Sequence, residues 1–214
     1  VGIIGNGSTG VQIVSALASR AGKLHQFQRT AQWIMPSENP TYTEEEKAEY
    51  RANPELLQQI RSDFTPNGGV GRCTHPDSPE MAEIEAAVLE NLEQSVKDPE
   101  LRERLRPTYR AACKRLIFSP DYYEAIQHPN AELVTDPIER VEAGGVRLTN
   151  GRLVELDVLA LATGFRADRF MRPMELIGRN GATLEAVWEK SPQAYLAISI
   201  PDFPNFFMLN GPNG

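Results

Sequence analysis

The chain has 214 residues, 41% of them hydrophobic, and carries 22 Lys and Arg against 29 Asp and Glu, a net charge of −7. That acidic balance argues against nucleic acid and anionic membrane surfaces as partners, and no apolar run is long enough to span a bilayer. The two cysteines, Cys73 and Cys113, stand far apart and outside any CxxC pair, which fits idle or buried thiols in a reducing compartment, the cytoplasm, and argues against a dithiol reductase.

An apolar run (Val1, Ile3, Ile4) enters Gly5-Asn6-Gly7-Ser8-Thr9-Gly10, after which Val11, Ile13, Val14 and Leu17 recur at helical spacing. Strand, glycine turn and helix in that order form the context of a dinucleotide fingerprint. Gly5 permits the tight turn, Gly7 lets backbone approach a pyrophosphate, and Gly10 allows close helix–strand packing; the helix N-terminus offers free N–H groups to the phosphates. The second apolar segment, Leu24 to Gln28, ends in Arg29-Thr30. An NAD site usually places Asp or Glu there, about twenty residues on, to accept the ribose 2′-OH. A guanidinium and a hydroxyl instead suit a 2′-phosphate, which favours NADP over NAD. The bland alternative is a solvated arginine at a strand end.

Residues 36–112 interrupt this β-α-β start with a polar, highly charged segment far longer than an ordinary connection. Within it, 43–62 reads as a helix broken near Pro54, capped by Thr43 with acids in its first turn. Residues 66–79 read as a Pro- and Gly-rich loop. Residues 79–97 make the best amphipathic helix, with Met81, Ile84, Val88, Leu92 and Val96 on one face serving as core or a domain contact. Beyond 113 the pattern predicts a helix over 120–128 and a strand over 131–135. A hairpin of 137–142 with 145–149 continues through Asn150-Gly151 into 152–156. Residues 157–162 form an apolar strand ending in Thr163-Gly164-Phe165, and further strands are expected near 195–200 and 206–210.

Three short segments stand out beyond the glycine loop: Phe27-Gln28-Arg29-Thr30-x-x-Trp33, Cys113-Lys114-Arg115 followed by Asp121-Tyr122-Tyr123, and Ala162-Thr163-Gly164-Phe165. Each has an ordinary reading alone: a surface pair at Lys114 and Arg115, helix packing at the tyrosines, a strand end at ATGF. In this order and spacing, together with GxGxxG and Gln12, they resemble the NADPH-binding portion of class B flavoprotein monooxygenases, the Baeyer–Villiger and related flavin-containing enzymes. The resemblance runs across nearly the whole chain and is weakest over 36–110. One departure is Ala31, where the family usually has Pro.

The resemblance implies NADPH and FAD as cofactors, O₂ as co-substrate, and a small ketone or a soft heteroatom as substrate. It implies that Gly5, Gly7 and Gly10 hold the pyrophosphate with Ser8, Thr9 and Gln12 beside them, and that Arg29, Thr30 and Lys114 grip the 2′-phosphate. Arg115 matches the family's active-site arginine, a fixed guanidinium able to stabilise anionic oxygen beside the flavin and nicotinamide. Thr163 and Gly164 would lie where the NADP domain returns to the flavin domain.

The expected fold is α/β: a Rossmann-type parallel sheet over 1–165 with a helical insertion at 36–112, then 166–214 as a partial return segment of the FAD-binding domain. Both ends read as cut points in a longer protein. The competing function is a non-catalytic NADP-binding module; another is a different FAD/NADPH oxidoreductase such as an N- or S-oxygenase. His25, His75 and His128 show no grouping with acids or cysteines, so no metal site is expected.

Overall fold

A computed structural model describes residues 1–38, 40–64, 78–111 and 113–213. The chain divides into two compact units, Val1–Thr163 and Gly164–Gly214.

The first unit is built on four parallel strands in the order β5-β2-β1-β9. These are β1 (Gly2–Ile4), β2 (Leu24–Phe27), β5 (Ala131–Val134) and β9 (Leu159–Leu161). The helix α1 (Ser8–Leu17) follows β1 and buries Gly10, Val11 and Val14, so the helical spacing read from the sequence is its core face. In register, Ile4 lies opposite both Phe27 and Leu161, and Phe27 opposite Val134. Because all four strands are parallel, their carboxyl ends share one edge. Gly5, Arg29 and Thr163 all leave from it.

The insertion is bracketed by a small parallel pair, β3 (Ile34–Met35) with β4 (Ile117–Phe118). Inside it, α2 (Glu44–Ala52) and α3 (Pro54–Phe64) are the broken helix expected at Pro54, and Thr43 with Glu46 forms a full capping box. The expected loop at 66–79, with Cys73 and His75, falls almost wholly outside the described residues. The helix α4 (Pro79–Ser95) carries the apolar stripe, which splits between two cores. Met81 and Val88 pack with Trp33, Ala111 and Leu116, whereas Leu92 and Val96 join Ile3, Val14, Tyr122 and Ile126 against the sheet. That division fastens the insertion to the parallel sheet. A further helix, α5 (Pro99–Leu105), was not expected, although Asp98 caps it and Pro99 opens it.

After α6 (Tyr122–Ile126) and β5, the strands β6 (Ile138–Glu142), β7 (Gly145–Leu148) and β8 (Leu153–Glu155) form the antiparallel sheet that the Gly144-Gly145 and Asn150-Gly151 turns predict. Three side chains tie it to the parallel sheet. Arg152 donates two hydrogen bonds to the Glu132 carboxylate (2.6 and 2.7 Å), and Glu132 lies 3.1 Å from Nδ1 of the buried His25. The expectation that the histidines stand apart from acids therefore fails for His25, whose acid neighbour arrives across β2 and β5.

The second unit corrects the sequence reading. Neither 195–200 nor 206–210 forms a strand; only an isolated bridge joins Tyr195 and Ser199. Positive φ at Leu196 (50°), Ala197 (58°), Asn205 (67°) and Asn210 (63°) breaks any extended run, so the apolar residues there pack as turns. Their core is Leu184, Trp188, Ile200, Phe203 and Met208, around the short α7 (Leu184–Val187).

Candidate functional site

The three glycines of the loop are required for different reasons. Gly5 has φ 111°, and a Cβ there would lie 2.3 Å from the Ala162 carbonyl oxygen; a Cβ on Gly10 would lie 2.2 Å from the Gly5 carbonyl oxygen. Both positions are closed by backbone. At Gly7 a Cβ would meet nothing within 4 Å, and its φ of −71° suits any residue. Sterics in the folded chain do not require glycine there, and the space beside it is open. Gly7 is also the N-cap of α1, and no side chain caps that end. Its N–H groups face the carboxyl edge of the sheet, where a dipole and free donors favour an anion. Ser8 is half-buried, and Thr9 and Gln12 are exposed on the helix beside it.

At the end of β2, Arg29 is exposed and Thr30 half-buried. The turn they form is fixed by Asn6, the residue between the first two glycines. Asn6 Nδ2 donates to Gln28 Oε1 (2.9 Å) and to the Thr30 carbonyl (2.7 Å), spending both of its N–H groups. Gln28 Nε2 in turn donates to the Arg104 carbonyl (2.7 Å), so the insertion reaches this edge as well. Asn6 and Gln28 are buried functional candidates that the sequence reading missed. The available signal was two amides, each just beyond the carboxyl end of a strand.

Lys114 and Arg115 lie just before β4, both exposed. The Lys114 ammonium sits over the Tyr109 ring, 4.5 Å from its centroid. Among the described residues, no carboxylate pairs with Arg29, Lys114 or Arg115. The next residues, Leu116 and Ile117, are buried, and the amide of Ile117 donates to the Trp33 carbonyl (3.1 Å). Tyr122 and Tyr123 take the ordinary reading: both are core, with Tyr122 Oη donating to the fully buried Gln26 Oε1 (2.7 Å), and burial pushes both phenols up. Cys113 is exposed and unbonded, so it is not a buried thiol, while Cys73 lies outside the described residues. Thr163 and Gly164 are exposed and fall at the division between the two units, with φ 89° at Gly164.

Arg29, Thr30, Asn6 and the three glycines are thus brought to one edge, and Tyr109 links Lys114 to the same neighbourhood. Among the described residues, no hydrogen bond, ion pair or ring contact joins the Arg115 side chain to them. Among the described residues no cluster of three metal-ligating side chains occurs, and no helix is long and apolar enough to cross a membrane.

No protein-family model matches the chain. Its whole length aligns at 41% identity with 43% of an uncharacterised monooxygenase of Mycobacterium tuberculosis, and at 32% identity with 41% of a Baeyer–Villiger monooxygenase of Pseudomonas aeruginosa. Its fold superposes with a TM-score of 0.87 on 47% of cyclohexanone monooxygenase from Rhodococcus sp. Phi1 bound to NADP⁺, at 31% identity and over the whole of this chain. The chain therefore spans less than half the length of these relatives. In sequence and in fold the chain is similar to one portion of these monooxygenases, Baeyer–Villiger enzymes among them.

Proposed function

We propose that this chain is the NADPH-binding portion of an FAD- and O₂-dependent monooxygenase that inserts oxygen beside a ketone carbonyl or oxidises a heteroatom. The observation that carries the reading is the carboxyl edge of the parallel sheet. It combines an uncapped helix N-terminus, open space at Gly7 and the exposed Arg29, with Lys114 tied to that edge through Tyr109, Gln32 and Asn6; among the described residues no carboxylate pairs with either cation. That donor set suits a dinucleotide with a 2′-phosphate and is poorly suited to a 2′-OH. A relative solved with NADP⁺ supports the same choice.

In this reading Gly5, Gly7 and Gly10 let the α1 N-terminus approach the pyrophosphate, with Ser8, Thr9 and Gln12 at its side. Arg29, Thr30 and Lys114 hold the 2′-phosphate, and Thr163 and Gly164 carry the chain out of the domain. Bound together, the two cofactors supply the hydride and an oxygen-activating ring. Arg115 presents a permanently charged guanidinium that stabilises developing negative charge on oxygen.

The test is Arg29→Ala, titrated with NADP⁺ and NAD⁺. Loss of a charge-assisted contact worth about 1.5–3 kcal/mol weakens NADP⁺ by roughly 10- to 100-fold and leaves NAD⁺ nearly unchanged. An unaltered ratio of the two affinities removes the 2′-phosphate reading.

A further inference from the structure

One run of side chains links the glycine loop, the Arg29–Thr30 turn and Lys114. Tyr109 Oη donates to Gln32 Oε1 (2.9 Å), Gln32 Nε2 donates to Asn6 Oδ1 (3.4 Å), and Asn6 holds the Thr30 carbonyl. Tyr109 is itself fixed by Trp33, whose Nε1 donates to the Tyr109 carbonyl (2.8 Å) and whose ring stands edge-on to the phenol at 6.5 Å. The upper face of that phenol carries the Lys114 ammonium.

Resting on the NADPH reading, we propose that Tyr109 is a positioning residue for the 2′-phosphate grip. Its ring holds the Lys114 ammonium, and its hydroxyl, through Gln32 and Asn6, sets that ammonium against the Arg29–Thr30 turn. The two halves of the grip come from opposite ends of the insertion, Arg29 before it and Lys114 after it. A lysine on a flexible four-carbon stem is a poor partner for a phosphate unless its head group is confined. The face of an aromatic ring confines it without neutralising it, as a carboxylate would. The insertion thereby contributes to the choice of dinucleotide without itself touching it at Tyr109.

The experiment titrates NADP⁺ and NAD⁺, which differ only by the 2′-phosphate, into the 214-residue chain by calorimetry. Wild type is compared with Tyr109→Phe, Tyr109→Leu, Lys114→Ala and the Tyr109→Leu/Lys114→Ala double variant. Tyr109→Leu is expected to weaken NADP⁺ roughly three- to tenfold with NAD⁺ unchanged, and Tyr109→Phe, which keeps the ring face but loses the bond to Gln32, to fall between Tyr109→Leu and wild type. The double variant is expected to bind no more weakly than Lys114→Ala alone, because the tyrosine acts through the lysine. Equal losses for both dinucleotides, or losses that add to Lys114→Ala, mean an ordinary packing role and overturn the proposal. Should Tyr109→Leu unfold, Tyr109→Met, which fills similar volume without an aromatic face, makes the same comparison. A wild-type chain with no preference for NADP⁺ overturns the NADPH reading itself and this proposal with it, a result distinct from the others.

Discussion

Gly7→Ala and Gly10→Ala, three residues apart in one loop, should fail in opposite ways. At Gly10 the added Cβ would come within 2.2 Å of a carbonyl oxygen and 2.8 Å of its carbon, both in the backbone of Gly5. Neither atom can swing aside, so α1 must be pushed off β1. Overpacking of this kind costs about 1–3 kcal/mol, and a backbone obstacle puts it at the upper end. For a domain of this size that lowers Tm by roughly 6–12 °C. At Gly7 the methyl enters open space at an ordinary φ. The entropy lost from the unfolded chain stabilises by about 0.4–1 kcal/mol, offset by a similar ~0.5–1 kcal/mol because Ala is a poorer N-cap than Gly. Gly7→Ala should therefore melt within a degree or two of wild type. Its NADP⁺ affinity should nonetheless fall by about tenfold or more, a loss of ~1.4 kcal/mol or more, because the methyl occupies the ground over which a pyrophosphate approaches the helix. Thermal melts by circular dichroism, with NADP⁺ titrations on the same samples, measure both quantities. A Gly7→Ala chain that binds NADP⁺ as well as wild type would refute the argument that this glycine is kept for a ligand.

Other outcomes follow from the core and the charge networks. Burial holds His25 below its usual pKa, and the hydrogen bond from Arg152 holds Glu132 below its own. Both groups bind fewer protons in the folded state, so stability is full above the unfolded histidine value of 6.5, declines as pH falls through the depressed His25 value, and declines again below the usual carboxylate range. Melts from pH 7.5 down to about pH 2.5 should show both losses, and His25→Gln should remove only the first; a flat wild-type profile between pH 7.5 and 5.5 contradicts this. Leu92→Ala, at a fully buried site where α4 meets the sheet, should cost about 2–5 kcal/mol by chemical denaturation, and a loss under 1 kcal/mol would mean that α4 is not part of that core. In the whole protein, Arg115→Ala should abolish oxygenated product while NADP⁺ binding stays within about twofold, the loss of one electrostatic contact being of order 10²–10³ in rate. Unchanged product formation sinks the role given to Arg115.

What could be read from the sequence was local. The glycine turn, the Pro54 break, the Thr43 cap and the hairpins at Gly144-Gly145 and Asn150-Gly151 each depend on residues within a few positions of one another, and each formed where expected. The second unit resisted because its apolar residues carry no period. Phe206 to Leu209 reads as a strand, but the left-handed residues at Asn205 and Asn210 close it at both ends. The amide run through Asn6, Gln28, Gln32 and Tyr109 was invisible for another reason. Its members come from a turn, a strand end and the far side of the insertion, and hydrogen-bond geometry across such separations leaves no mark in spacing. Aspartate-capped α5 was within reach and was missed because charge dominates its sequence.

The pairing of β2 with β5 also bears on how the chain folds. His25 and Glu132, neighbours across those strands, stand 107 positions apart, whereas β1 finds β2 as soon as Gly2 meets His25. Closing the longer loop costs about 1.4 kcal/mol more than closing the shorter one if the intervening chain is slack. Helices α2 to α6 each close on local backbone hydrogen bonds and can begin to form first, shortening that loop before the strands meet. The stripe of α4, split between its own core and the sheet, then delivers β5 to its place. Variants that loosen α4 should accordingly slow refolding as well as lower stability, making the insertion a pacemaker for the assembly of the sheet.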